Sequence, residues 1–133
     1  MEKVMKVKTS EAKRQVLNYL VGRAEGRKPS CYTGIVRATA HPDFPDSPPI
    51  FGPELNYSTD WALAGPIIER DEIALEPMTH DKFGDGWLAT RIEGPAVCME
   101  FGPTMLIAAM RCYVVGILGD EVEVPDELKG GEL

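Results

Sequence analysis

Stretches with a helical apolar period alternate along this chain with stretches of strand composition, and dense turn signals separate them. Ala12, Val16, Leu17, Leu20, Val21 and Ala24 recur at three- and four-residue spacing, with Lys13, Arg14 and Asn18 mostly on the other side. That stripe predicts a helix over about 10–24. Thr9 or Ser10 can act as its N-cap, Glu11 suits the positive end of the helix dipole, and Gly26 is a natural stop. Before it, Val4–Lys8 reads as a short extended lead-in; after it, CYTGIVRATA at 31–40 has strand composition.

The next segment, HPDFPDSPPIFGPELNY, carries Pro42, Pro45, Pro48, Pro49 and Pro53, too dense for a helix or a central strand. One domain over 1–133 with a long Pro-rich loop at about 39–57 is expected, rather than two domains and a linker. Phe44, Phe51 and Tyr57 suggest that part of the loop packs down, yet as a whole it should be the segment most tolerant of shortening. Ile73–Met78, Trp87–Ile92 and Ala96–Phe101 then read as three strands, joined through HDKFGDG and Glu93-Gly94-Pro95 in an antiparallel meander. Gly102-Pro103-Thr104 opens a helix over about 104–118 and Gly119 closes it. Glu121–Val124 is extended, and the tail KGGEL is expected to fray. The fold class is α+β: an antiparallel sheet of about three to five short strands packed by two principal helices.

The helix at 104–118 is apolar on every face, which places it in a core or a membrane. An apolar run of about 15 residues is short for a span, and Arg111 sits inside it. Ala108, Cys112 and Gly116 form a row of small residues that would let the backbone approach a sheet or another helix closely. A chain this short struggles to surround such a helix, so a homo-oligomer packed through or near it is one expectation. Arg111 either snorkels to water at the core edge or is held by a partner, which the planar guanidinium suits. The other unusual stretch, STDWALAGPIIERD at 58–71, has an aromatic anchor and a Gly-Pro break between polar ends. Its Asp60 and Glu69 are the expected partners, so Arg111 should hydrogen-bond to a carboxylate or carbonyl within 58–70.

Composition narrows the chemistry. At 133 residues, 44% hydrophobic and 26% charged, the chain can build one core unaided. A net charge of −7 argues against a general nucleic-acid binder. Basic residues gather near the N-terminus (Lys3, Lys6, Lys8, Lys13, Arg14) and acidic ones near the C-terminus (Asp120, Glu121, Glu123, Asp126, Glu127), which reads as solvated surface. Three cysteines without CxxC spacing suggest neither a disulfide framework nor a zinc site. The start, MEKVMKVKTSEAKRQ, has no apolar h-region, so a cytoplasmic setting is expected. There is no Walker A loop, GxSxG or HExxH. Cys31 with His41 or His80 as a nucleophile pair, and His80, Asp81 and Asp85 as a metal site, are both disfavoured: the histidines lie in polar turns. Trp61 and Trp87 could stack a base, but packing is the favoured role for both.

Several blocks carry a resemblance. Ser58-Thr59-Asp60-Trp61-Ala62, Gly65-Pro66-Ile67-Ile68-Glu69-Arg70, Gly102-Pro103-Thr104, Leu106–Val114 and Leu118–Pro125 are similar to the phage NinX-like family, and Lys6–Glu11 is similar to its start. Segments 39–57 and 73–101 resemble it poorly and read as this chain's own elaboration. The resemblance implies a small protein of a tailed phage or prophage acting in the host cytoplasm. It supplies no catalytic residues, because the family's molecular function is uncharacterised. The expected function is a non-catalytic accessory protein binding a host or phage partner, with no cofactor, no metal and no membrane. The alternative is a small-ligand, nucleotide-like binding or sequestering protein. Its pocket would use Tyr57, Ser58, Asp60, Trp61, Arg70 and Arg111, with Glu69 alongside.

Overall fold

In the computed structural model, residues 4–32, 35–38, 43, 46, 52–126 and 128 are described. Seven strands and three α-helices occur among them, in the order β1 (Val4–Lys8), a 3-10 turn (Thr9–Glu11), α1 (Arg14–Ala24), β2 (Pro29–Tyr32), β3 (Ile35–Ala38), α2 (Trp61–Arg70), β4 (Ala74–His80), β5 (Gly84–Glu93), β6 (Ala96–Gly102), α3 (Met105–Leu118) and β7 (Glu121–Pro125). The class is the α+β expected. The strands form three separate antiparallel sheets: β4-β5-β6, β2-β3 and β1-β7.

Everything is arranged around α3. Leu106, Ala108, Ala109, Met110, Cys112, Tyr113 and Val114 are buried on all its sides. The helix starts where Thr104 caps it, the hydroxyl accepting from the Ile107 N–H at 3.2 Å. It stops at Gly119, whose φ of 98° closes the last turn. Its row of small residues packs on the meander as the spacing suggested. A Cβ on Gly102 would lie 2.5 Å from the Ala108 nitrogen, and one on Gly116 would lie 2.4 Å from the Arg91 guanidinium. Between them, Cys98 and Cys112 each donate a thiol hydrogen bond to the other's carbonyl, at 3.5 and 3.4 Å. Burial pushes the Cys112 thiol up to about 12, so it behaves as an inert core residue.

The meander is built as read, with Ala89 paired to Leu75 on one side and Glu100 on the other. Two other expectations need correction. CYTGIVRATA is not one strand: β2 and β3 pair antiparallel from Pro29↔Ala38 to Tyr32↔Ile35, and residues 33–34 and 39–40 lie outside the described residues. The Gly-Pro break at 65–66 is no break, and α2 runs through it as a third helix. Asp60 caps it by accepting from the Ala62 N–H at 2.9 Å. Pro66 removes the hydrogen bond that would end on the Ala62 carbonyl, and both residues are exposed, so water can take that carbonyl.

α1 begins later than its apolar period suggests. Thr9 and Ser10 belong to a 3-10 turn, Ala12 and Lys13 are extended, and Arg14 enters the helix at φ 51° with no side-chain cap from Lys13. Thr9 instead ties this turn to the far end of α3, donating from Oγ1 to the Gly119 carbonyl at 2.7 Å and from its N–H to Asp120 at 2.8 Å. Asn18, expected on the solvated side, is buried because its Oδ1 accepts the Ser58 N–H at 2.8 Å. Part of the charge asymmetry between the termini faces itself on the surface, with exposed Lys6 opposite Glu123 and Lys8 opposite Glu121 across the β1–β7 ladder.

Most of the Pro-rich loop, and the tail at 129–133, lie outside the described residues. The loop's end at 52–57 is core structure, contrary to the tolerance expected of the whole. Leu55 is fully buried and donates its N–H to the Val36 carbonyl at 2.9 Å, and Tyr57 is buried as well.

Gly102→Ala is expected to destabilise the fold by about 2 kcal/mol or more, because the added methyl meets α3 backbone that cannot rotate away. Chemical denaturation compared with Gly65→Ala, whose Cβ would enter open space without backbone strain, checks it.

Candidate functional site

The residues singled out from the sequence fall into three places. The first is the buried guanidinium. Arg111 is 8% exposed; its Nε donates to the Ala12 carbonyl at 2.7 Å and its Nη1 to the Phe101 carbonyl at 2.9 Å. Both acceptors lie outside 58–70, so these bonds are not the ones expected. The kink that keeps Ala12 out of α1 frees its carbonyl, and the end of β6 supplies the other. Arg111 therefore joins the start of α1 to the meander through α3. Its charge also acts on Glu100, where burial raises the carboxyl above its usual range and Arg111 only partly opposes this.

The second place is a polar cluster where α1 and α2 end beside α3. Arg70 pairs with Glu25 at 2.9 Å and Asp71 at 3.2 Å, and its guanidinium lies 5.6 Å from the centre of the Tyr113 ring. The Tyr113 hydroxyl donates to Glu25 Oε2. Burial pushes Glu25 up, but hydrogen bonds from Arg70 and Tyr113 and the charges of Arg70 and Arg27 outweigh it and hold the carboxyl below its usual value. Tyr113 is pushed up to about 12 by burial, with the Glu25 hydrogen bond and charge adding to it. Tyr57 is raised by burial too, against the opposing charge and hydrogen bond of Arg27. Of the sequence-predicted residues, Tyr57 and Arg70 belong to this neighbourhood. Glu25 and Tyr113 were missed, because a helix-terminal glutamate and a core tyrosine carry no sequence signal of their meeting.

The third place is the outer side of α2. Ser58 is buried by its bond to Asn18, and Asp60 is a cap; Trp61 and Glu69 face out, Trp61 at 51% exposure. A Cβ on Gly65, one turn beyond Trp61, would meet open space.

Two clefts flank the β1–β7 ladder. One, about 400 Å³, is lined by Lys6, Val7, Lys8, Glu11, Ala12, Val16 and Glu121; the other, about 270 Å³, by Lys8, Ser10, Glu100, Asp120 and Glu121. Neither is lined by Trp61 or Arg111. Among the described residues, no group of three or more His, Cys, Asp or Glu side chains could hold a metal ion. Within the same residues no helix is long and apolar enough to cross a membrane.

The architecture is that of a small α+β protein in which a sheath of short strands and two helices encloses one apolar helix. The chain belongs to the family described as bacteriophage P22 NinX, whose model matches residues 8–116. It is thus a member of a phage protein family of unknown function. No curated protein matches it.

Two outcomes are expected from this geometry. Arg111→Ala strands two carbonyls and should destabilise by about 2–4 kcal/mol in urea denaturation, the scale for charged hydrogen bonds lost from a core. The polar cluster gives an alkaline signature. A phenol ordinarily titrating at 10.0 that is held at about 12 when folded contributes stability that is complete below 10 and lost as pH rises to 12. Melting temperatures across that interval should fall more steeply for wild type than for Tyr113→Phe.

Proposed function

We propose that the protein is a non-catalytic accessory factor that binds a host or phage protein through the outer side of α2. The observation that supports this reading most is Trp61, held half-exposed on a helix that also carries Gly65 and Pro66 in its middle. Glycine in an exposed helix interior costs about 1 kcal/mol relative to alanine and proline about 3. Gly65 nevertheless has open space where a side chain would fit, and Pro66 is exposed beside it. These positions leave a low, bare strip of helix next to a large amphipathic ring. Tryptophan is enriched among residues that dominate protein interfaces, and a flat surround lets a partner close over it and exclude water. Asp60 and Glu69 supply a polar rim, while Asn18 on α1 and Arg70's pairs with Glu25 and Asp71 hold the helix in place. Family membership supports a phage setting, with the bacterial cytoplasm as the place of action.

Trp61→Ala should leave the melting temperature close to wild type, since Trp61 is a surface side chain away from the core. It should reduce at least tenfold the capture of whichever protein the tagged wild type enriches from phage-infected lysate. Undiminished capture by Trp61→Ala would overturn the assignment of α2. A stoichiometric small molecule released from purified wild type on denaturation, found by mass spectrometry, would favour the sequestering alternative instead.

A further inference from the structure

The meander has a second face that the fold does not use. Along β5 the residues facing α3 are Trp87, Ala89 and Arg91; those pointing away are Leu88, Thr90 and Ile92. On β6 the outward residues are Val97, Met99 and Phe101, and on β4 they include Glu76 and Met78. No described element covers this side, and Ile92 is 71% exposed, Val97 59% and Met99 55%. At one end the rings of His80, Phe83 and Phe101 gather, with centroids 4.8–6.3 Å apart, and Phe83 is 64% exposed.

An antiparallel sheet with one solvated face normally alternates apolar-in and polar-out. AVCMEF in β6 does not alternate, and LATRI in β5 places leucine and isoleucine outward. That is the composition of strands covered on both sides. Phe83, Ile92, Val97 and Met99 alone open roughly 450 Å² of apolar surface, a size that on monomers is often functional.

We infer that this face is the interface of a homodimer, with the outer sides of two meanders packed on each other. The charge pattern is compatible with a second copy, and the area is that of a small dimer contact. Two molecules each carrying −7 repel unless they meet where charge is sparse. The outward positions of β5 and β6 carry no charged side chain, and Glu76 on β4 is the carboxylate nearest to them. A two-fold axis running along the β5–β6 ladder lays each copy's apolar strip on the other's and sends the two Glu76 carboxylates to opposite rims. Sheets packed in this way sit about 10 Å apart with interdigitated side chains. With neighbouring residues included, the contact would bury on the order of 1,000 Å² in total, the lower bound for a specific interface. The surface lies apart from α2, so each copy keeps its Trp61 strip free.

Light scattering coupled to gel filtration of the full chain at about 50 μM, well above the dissociation constant of a specific dimer, should give twice the 14.6 kDa monomer mass. Ile92→Glu and Val97→Lys, each tested alone because an unpaired charge is costly in a dry contact, should return the mass to that of a monomer. Their far-UV circular dichroism should stay unchanged. Hydrogen exchange of wild type, read at high and low concentration, should show protection at 96–101 that is lost on dilution; this readout stands even if a variant fails to fold. A wild-type monomer at that concentration overturns the inference. So does a dimer indifferent to both substitutions, or binding of this face to another protein or to vesicles without self-association. Trp61→Ala should leave the dimer intact, so failure of the α2 reading and failure of this one are separable.

Discussion

An apolar helix that no single layer can cover is the constraint from which the rest of this structure follows. α3 carries no polar face, and every side of it left in water would weaken the core. The chain answers by wrapping it. The meander lies along its row of small residues, α1 and α2 pack on other sides, and the 3-10 turn crosses near Arg111. Close approach needs Gly102 where it is, because a Cβ there would meet the backbone of α3 at Ala108, and the small Ala108 and Cys112 keep the layers together.

Wrapping creates a second problem, which Arg111 addresses. The extended link after the 3-10 turn and the end of β6 each bring a backbone carbonyl beside α3. A guanidinium rooted in the helix can satisfy two at once, and its charge is neutralised locally by carbonyl dipoles and the nearby Glu100. The polar cluster of Glu25, Arg70 and Tyr113 does related work at the other helix ends. Cations there suit the negative ends of α1 and α2, and the shared carboxylate pins both helices to α3. Among the described residues, the Trp61 strip and the outer meander face both expose large apolar side chains.

Sequence alone determined the α+β class, the three meander strands, the close-packing row of α3 and its termini at Thr104 and Gly119. These depend on local period, caps and turn residues, which are written in consecutive positions. Trp61 and Arg111 were also legible as unusual, because an anchor among polar residues and a charge among apolar ones stand out without any partner known. Tertiary structure alone decided what those residues touch. Arg111 reaches the carbonyls of Ala12 and Phe101, 99 and 10 residues away. Glu25 meets Tyr113 across 88 residues, and Lys6 meets Glu123 because the two ends of the chain pair. α2 survives its Gly-Pro pair because an aspartate caps it and the chain around it is exposed at the right carbonyl. Hydrogen bonds and charges at long separation depend on where layers come together in space. No window of neighbouring residues contains that information, whereas the drive to bury α3 was visible in its own apolar residues.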